Sequence, residues 1–526
     1  MTTHKILISD KLGAEGTELA LSADDVDVVV STGLSRAELL DAVADVDAII
    51  VRSATQLDAE VIAAALKLRV IGRAGVGVDN IDLDEATRRG VMVTNTPHAN
   101  SVATAEQAMT LMLGAARHLP HAHASLSAGR WERSRYVGVE LQGRTLGIIG
   151  FGRIGRAVAV RAKAFGMEVM AYDPFVSELV GRDLGVSLAD LETVLAAADV
   201  VTLHAIPPAD GSAILDARAI SLMKPGSIIV NAARGQLLDA SAARHALDSG
   251  LLRAVAVDVY AEEPPTEDHP LIGHPQVVHT PHLGASTEEA QRDVSLQVVD
   301  QVMAALRGDR LEHCVNVPFV FDAETEIQLE LATAMGRLQA IMAPSAVDRV
   351  EVEVADSEGD ELATVAAGFL AGLLAEGSAT NVNFVNAPAL ADERGITVSQ
   401  GRGIGRLDYP NLVSCRVSWP GGGRTMSGVV FDGKSPRIVQ ISDYHLDASP
   451  QGIVLVMISN DLPGVIGQVG TLLGTYGVNI AEWRLGRDNA GGQALSFVNL
   501  DSFPSQAAVD AVRQVPAVEK AEVIEL

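Results

Sequence analysis

The pattern of the chain predicts an α/β protein: two doubly wound parallel-sheet domains in series, then an α+β segment, then a small βαββαβ unit. Three observations carry this expectation. Residues 4–318 alternate short β-branched runs with helical stretches, the order that lays parallel strands under helices on both faces. The turn Gly150-x-Gly152-x-x-Gly155 joins one such run to a helical stretch. Residues 452–526 run strand, helix, two strands, helix, strand, the ferredoxin-like order.

Taken in order, the first series has the runs "KILIS", "VDVVV", "DAIIV", "LRVIG" and "VMVTN", with "SRAELLDAVA" and "DAEVIAAAL" between them. It predicts a flavodoxin-like domain over 1–98, completed by 288–318, where a helix returns to "CVNVP". One long helix is expected from "SVATAEQAMTLMLGAARHL". A second series, "TLGIIG", "EVMAY", "DVVTLH", "SIIVNAA", "AVAVDV" and "VVHTP", predicts a Rossmann domain over 99–287. Residues 319–447 hold strands such as "VEVEV" and the turn "PGGG" at 420–423, and read as an α+β domain with no motif that implies a reaction. The unit at 452–526 follows from "GIVLVMIS", "PGVIGQVGTLLGTYG", "NIAEWRLGR", "QALSFVNL", "SQAAVDAVRQV" and "VEKAEVIEL".

A chain of 526 residues exceeds what one core organises, and 48% apolar content supplies several. The formal net charge of −27 argues against nucleic acid or an anionic membrane as partner. It also means that an anionic substrate needs a local arginine cluster. Cys314 and Cys415 have no CxxC or Cys/His spacing, so neither a metal site nor a disulfide framework is expected. No apolar run reaches the roughly 18 residues of a membrane helix. "ATVAAGFLAGLL" at 363–374 reads as a core helix. The N-terminus enters a strand almost at once, so no signal peptide and a cytoplasmic location are expected.

The glycine turn has the context of a dinucleotide site. Gly150 permits the tight turn, Gly152 lets the backbone approach a pyrophosphate, and Gly155 lets helix and sheet pack closely. The free amides of Arg153 and Ile154 at the helix N-terminus would hold the phosphates. Asp173, which ends the next strand, would accept from the adenosine ribose hydroxyls and repel a 2′-phosphate, favouring NAD over NADP.

Ligands of open α/β sheets bind beyond the carboxyl ends of the strands. The residues there are Arg52-Ser53, Arg73, Arg234-Gly235, Asp258 with Glu262 and Glu263 beyond it, and His282. Three arginines, acids and a histidine suit hydride transfer from a secondary alcohol. Such chemistry needs a base titrating near neutrality, a carboxylate to orient it and a guanidinium for a substrate carboxylate. His282, Glu263 and Arg234 fill these roles, and Arg52 and Arg73 would serve a substrate phosphate. His279 remains an alternative base, although its place inside the strand pattern suits a packed structural residue. His204 is similar.

"GFGRIG", "NAARGQLLD", "DVYAEEPP" and "TPHLGAST" resemble the D-isomer-specific 2-hydroxyacid dehydrogenase family over roughly residues 4–318. The resemblance implies Arg234, Glu263 and His282 as the catalytic residues. "VRSATQ", "GRAGVGVDNID" and "NTPHANSVATAE" resemble the substrate-side motifs of members acting on a phosphorylated acid. What this implies is reversible oxidation of 3-phospho-D-glycerate to 3-phosphonooxypyruvate with NAD, the first step of the phosphorylated route to L-serine. Reduction of 2-oxoglutarate to 2-hydroxyglutarate is implied as a side reaction. The carry-over puts Val76, Ala205, Ala232, Asp258, His282, Leu283, Gly284 and Ala285 against NAD. It puts Arg52, Ser53, Arg73, Gly75 and Asn100 near substrate and makes 1–98 with 288–318 the substrate-binding domain.

Residues 319–447 stand where long members of the family carry an intervening domain, and 452–526 resemble an ACT regulatory domain. Asp461 and Asn479 then match effector positions for L-serine, while Ser459 stands where a larger hydrogen-bonding residue is often found. "GRWERSRY" at 129–136 stands where the family forms its subunit contact, implying a homo-oligomer, dimer or tetramer, with Arg133 and Arg135 reaching a neighbour's site. Two other readings stay open: a dehydrogenase for glycerate, glyoxylate or lactate, and a non-enzymatic NAD-sensing scaffold.

Overall fold

A computed structural model of the chain describes residues 3–208, 210–308, 313–317, 319, 323–355, 360–376, 378, 381–403, 409 and 411–526. The "CVNVP" stretch ends on Pro318, outside the described residues. The chain divides into two compact units: Leu12–Gly16 with Thr96–Gln297, and Met1–Lys11 with Thr17–Asn95 and Val298–Leu526.

The unit that contains the N-terminus begins with β1 (His4–Ile8), β2 (Val26–Val30), β3 (Ala48–Val51), β4 (Val70–Arg73) and β5 (Met92–Asn95). They form a parallel sheet of order β2-β1-β3-β4-β5, the flavodoxin-like order. Central β3 is buried along its length, whereas β2 at the edge is half exposed. Residues 313–317 dock on β5, with the Val315 amide donating to the Val93 carbonyl at 2.7 Å and the Asn316 side chain gripping Val93 and Val91.

The other unit holds β6 (Thr145–Ile149), β7 (Glu168–Tyr172), β8 (Ser187–Leu188), β9 (Val200–Leu203), β10 (Ser227–Asn231), β11 (Leu252–Val257) and β12 (Val277–His279). Its order is β12-β11-β10-β9-β6-β7-β8, parallel throughout. The chain reverses its sideways progress between β6 and β9, the switch point at which doubly wound sheets open a crevice at the carboxyl ends of their strands. The two residues of β8 are too few to stand out as a run in the sequence. The expected long helix is present as Ser101–Arg117; it ends at His118, with φ of 53°, and a further short helix, Leu119–Ser127, follows. Pro120 has no amide with which to continue the first helix.

In the N-terminal residues' unit the chain goes on to β13 (Arg349–Ala355), β14 (Thr397–Gly403), β15 (Val413–Trp419), β16 (Gly422–Phe431), β17 (Ser435–Ile441) and β18 (Tyr444–Ala448). This mixed sheet has the order β14-β13-β15-β16-β17-β18, with only β13 and β14 parallel. The last sheet contains β19 (Ile453–Asn460), β20 (Ile480–Arg487), β21 (Gln493–Leu500) and β22 (Val518–Glu525), in the order β20-β21-β19-β22. With its two helices it has the expected βαββαβ order.

Period-2 alternation lets this last sheet serve two cores. Leu455, Met457 and Val498 pack with the helical Val469, Leu473 and Val512. Val454, Val456, Leu495, Phe497 and Ile524 instead join the core that Leu331, Phe369 and Cys415 belong to. The segment 323–448 and the final unit therefore share one hydrophobic core. Among the described residues no helix is long and apolar enough to cross a membrane.

Candidate active site

Gly150 follows β6 with φ of 95°, in a position where any side chain would collide with the His204–Ala205 backbone. A Cβ on Gly155 would overlap the Gly150 carbonyl. Gly152 caps the helix Arg153–Ala164 without a side-chain bond, and the space beside it is open. The first-turn amides of Arg153 and Ile154 thus have no capping side chain, and the loop offers the uncovered donor cradle that a pyrophosphate needs. Asp173 lies just beyond β7. It accepts from the Phe151 amide at 2.8 Å and the Phe175 amide at 2.9 Å, one on each oxygen, so its carboxylate is tied to the loop and keeps acceptor capacity.

At the end of β10 the buried Asn231 side chain clamps the next turn. Its Nδ2 donates to the Arg234 carbonyl at 2.8 Å, and its Oδ1 accepts from the Ala233 amide at 3.1 Å. Gly235 lets that turn lie against the Tyr260–Ala261 backbone, where a Cβ has no room. The Arg234 guanidinium donates to the Ala233 carbonyl at 2.8 Å, and Ala232 is buried.

His282 Nδ1 lies 2.7 Å from Glu263 Oε2. Glu263 Oε1 in turn accepts from the Tyr260 amide at 3.0 Å. A carboxylate only accepts, so Nδ1 carries the proton and Nε2 is left as the second ring nitrogen. The imidazole is about half exposed, with a side-chain exposure of 48%. His282 also has φ of 55°, a conformation that costs a non-glycine residue about 1–2 kcal/mol and persists where neighbours over-determine it. Asp258 is the neighbour: fully buried, it accepts the His282 amide on its carbonyl and the Leu283 and Gly284 amides on its carboxylate, each at 2.8 Å.

The other histidines differ in environment. Burial first, then the nearby His121, His269 and His274, holds His279 below the usual imidazole range, and its Nδ1 has no hydrogen-bond partner among the described residues. His204 is partly buried and pushed down to about 4 by that burial, with Thr202 Oγ1 3.0 Å from its Nε2. Of the three, His282 alone pairs with a carboxylate. Asn100, at the start of the helix Ser101–Arg117, has a buried Oδ1 with no partner among the described residues.

In the N-terminal residues' unit, Arg52 and Ser53 follow β3. The turn is held by Asp10, which accepts from the Arg52 amide at 2.6 Å and the Thr55 hydroxyl at 2.7 Å, and by Asn80, which donates to the Arg52 and Thr55 carbonyls. Arg73 ends β4 with its guanidinium folded against Gly75, where a side chain would strike it. The Val76 carbonyl accepts from the Asn95 side chain at 2.7 Å.

Asp461 and Asn479, the two expected effector positions, stand apart within one chain. Asp461 follows β19 and accepts from the Gly491 amide and the Arg487 guanidinium, both at 3.2 Å, which hold its carboxyl below the usual range. Asn479 precedes β20 and donates to Asp501 at 2.6 Å. The register pairs Ser459 with Ala494 and Ile480 with Leu500, so the two residues stand at opposite ends of the sheet. Trp131 is 82% exposed, and Arg135 pairs with Glu132 at 3.4 Å.

Sequence reasoning missed the residues that support the site: Asn231, Tyr260, Thr280, Gln107, Asp10 and Asn80. Asn231 was legible as the polar residue ending "SIIVN". Asp10 after "KILIS" and Thr280 after β12 stand at strand ends in the same way, whereas Gln107, Asn80 and Tyr260 are identified only by the chain that packs on them.

Residues 109–284 match the NAD binding domain of the D-isomer specific 2-hydroxyacid dehydrogenases, and residues 326–442 match the D-3-phosphoglycerate dehydrogenase intervening domain. The chain is 41% identical to the D-3-phosphoglycerate dehydrogenase of Mycobacterium tuberculosis over 530 aligned residues, covering 100% of both chains. It is 39% identical to that of Methanocaldococcus jannaschii, covering 99% of this chain and 100% of the other. A glyoxylate reductase structure from Paecilomyes thermophila superposes with a TM-score of 0.55 at 32% identity, over 60% of this chain and 99% of that one. The glycine loop thus lies in an NAD binding domain, and the chain belongs to the D-3-phosphoglycerate dehydrogenase family of D-isomer specific 2-hydroxyacid dehydrogenases.

Proposed function

We propose that the chain catalyses the reversible NAD-dependent oxidation of 3-phospho-D-glycerate to 3-phosphonooxypyruvate, the first step of the phosphorylated route to L-serine. The observation that carries this reading is the 2.7 Å His282–Glu263 pair at the carboxyl edge of the sheet that bears the glycine loop. Bound NAD supplies the acceptor for the hydride that leaves the substrate C2. His282 Nε2 takes the proton of the C2 hydroxyl, and Glu263 fixes the ring and stabilises the imidazolium that forms. Arg234 holds the substrate carboxylate. Arg52, Ser53 and Arg73 serve the phosphate, with Gly75 and Asn100 beside the substrate.

For the cofactor, Gly150, Gly152, Arg153, Ile154 and Gly155 hold the pyrophosphate and Asp173 the ribose. Val76, Ala205, Ala232, Asp258 and residues 282–285 line the rest. We assign 1–98 with 288–318 to substrate binding, 99–287 to NAD binding, 319–447 to the intervening domain and 452–526 to an ACT regulatory domain. Because Asp461 and Asn479 stand at opposite ends of their sheet, an L-serine site using both requires two copies of the chain, which accords with a homo-oligomer.

The test is turnover of the purified chain with 3-phosphoglycerate against glycerate, and phosphonooxypyruvate against hydroxypyruvate, each with and without L-serine. A strong preference for the phosphorylated pair is expected. Preference for the dephosphorylated pair would overturn the substrate while keeping the chemistry. NADH binding without turnover of any 2-oxo acid would leave only a scaffold.

A further inference from the structure

The turn that carries His282 hangs on one residue. Asp258 gathers three successive amides, those of His282 on its carbonyl and of Leu283 and Gly284 on its carboxylate, each at 2.8 Å. That carboxylate is wholly buried and has no cationic partner among the described residues. Its further donors are side chains. Thr280 Oγ1 donates to Asp258 Oδ1 at 2.5 Å, and Gln107 Nε2, from the helix Ser101–Arg117, donates to Thr280 Oγ1 at 3.0 Å and to Asp258 Oδ1 at 3.4 Å. The direction of the chain is fixed: the amide can only donate here, so the hydroxyl must pass its own proton to the carboxylate. A second strut, Thr104 Oγ1 to the Gly284 carbonyl at 3.3 Å, comes from the same helix. A buried carboxylate without a cation depends on such donors to keep both its charge and its orientation.

We propose that Gln107 and Thr280 are positioning residues for His282, acting through Asp258. They hold the carboxylate in the rotamer that grips the Leu283 and Gly284 amides, and so hold the turn that keeps His282 in its left-handed conformation with Nδ1 on Glu263. Their link to turnover rests on the proposed function; their link to the turn does not.

The experiment pairs amide exchange of Leu283 and Gly284 with steady-state kinetics and NADH binding, in full-length Thr280→Val, Thr280→Ser and Gln107→Leu. Thr280→Val and Gln107→Leu are expected to raise exchange of these amides about tenfold or more. Turnover should fall by about tenfold or more, as misplacement of a catalytic group does. Because Asp258 and residues 282–285 are also assigned to NAD, NADH affinity should fall by less than kcat does, and the thermal midpoint should drop only by the few degrees that one lost buried hydrogen bond costs. Thr280→Ser, which keeps the hydroxyl, should restore both exchange and turnover. Should Thr280→Val fail to fold, Gln107→Leu and Thr280→Ser carry the test. Parental exchange and turnover in both disruptive variants would overturn the proposal. So would a loss of NADH affinity in step with turnover, because the network would then serve cofactor binding. Faster exchange in a protein whose parent turns over neither 3-phosphoglycerate nor phosphonooxypyruvate would overturn the reaction and leave the positioning role standing.

Discussion

The β6–β12 sheet and the β19–β22 sheet treat their strand ends in opposite ways. In the first, every strand runs parallel, so Asp173, Ala205, Arg234, Asp258 and His282 reach one edge although more than a hundred residues separate the first from the last. In the second, alternate strands reverse. Asp461 and Asn479 are closer in sequence yet stand at opposite ends, each tied to a different neighbour. A parallel sheet collects polar strand-end residues at one face of one chain. An antiparallel sheet distributes them, and a site that uses both ends needs a second copy.

The largest effect expected from breaking this comparison is at His282. His282→Ala should lower kcat about 10²–10⁴-fold with NADH affinity little changed, whereas His279→Ala, three residues earlier in the buried strand, should stay within about tenfold. Equal losses in the two variants would remove the distinction drawn between them.

His204 lies at the same edge but titrates against the fold. Its pKa in the folded chain, about 4, lies below the unfolded value near 6.5, so the unfolded state binds the proton first. Stability is full above about pH 6.5 and is lost as pH falls toward 4. The contribution of His204 to this loss between pH 7 and pH 4.5 should be about 2 kcal/mol. Denaturant titrations at the two pH values should show that much less loss in His204→Leu, and an unchanged acid limb would refute the burial argument.

Asp173→Ala should weaken NAD binding by about 10–100-fold and narrow the gap to NADP, the scale of a charged hydrogen bond. Dissociation constants for the two cofactors decide it, and an unaltered ratio would assign Asp173 to holding the loop through Phe151 and nothing more. The smallest effect belongs to the distributed sheet. Asn479→Ala, an exposed position, should leave uninhibited turnover and stability within the roughly 0.5 kcal/mol of ordinary surface changes. Any response to L-serine should weaken. Inhibition curves superposing on those of the parent would take Asn479 out of the effector site.

Much of the nucleotide-binding half is legible in the residue order. Gly150 and Gly155 announce backbone geometry, because only glycine fits where a Cβ would meet a carbonyl or an amide. The polar residues after apolar runs announce an edge, because parallel topology leaves them there. The short helix Leu119–Ser127 was not singled out, although Pro120 marks its first turn. Nor was the core shared by 323–448 and 452–526, because alternation in β19 shows that two faces are buried without saying what covers them.

The residue order alone was enough for the principal strands of the parallel sheets, the dinucleotide loop and the roster of charged strand ends, since these depend on local periodicity and on the few residues a tight turn admits. Packing and register decided the rest. They separated His282 from His279 by exposure and a carboxylate partner, placed Asp461 and Asn479 at opposite ends of a sheet, and made Gln107, Thr280 and Asp258 into a support for one turn. Burial and hydrogen-bond partners are properties of segments distant in the chain, and no local pattern encodes them.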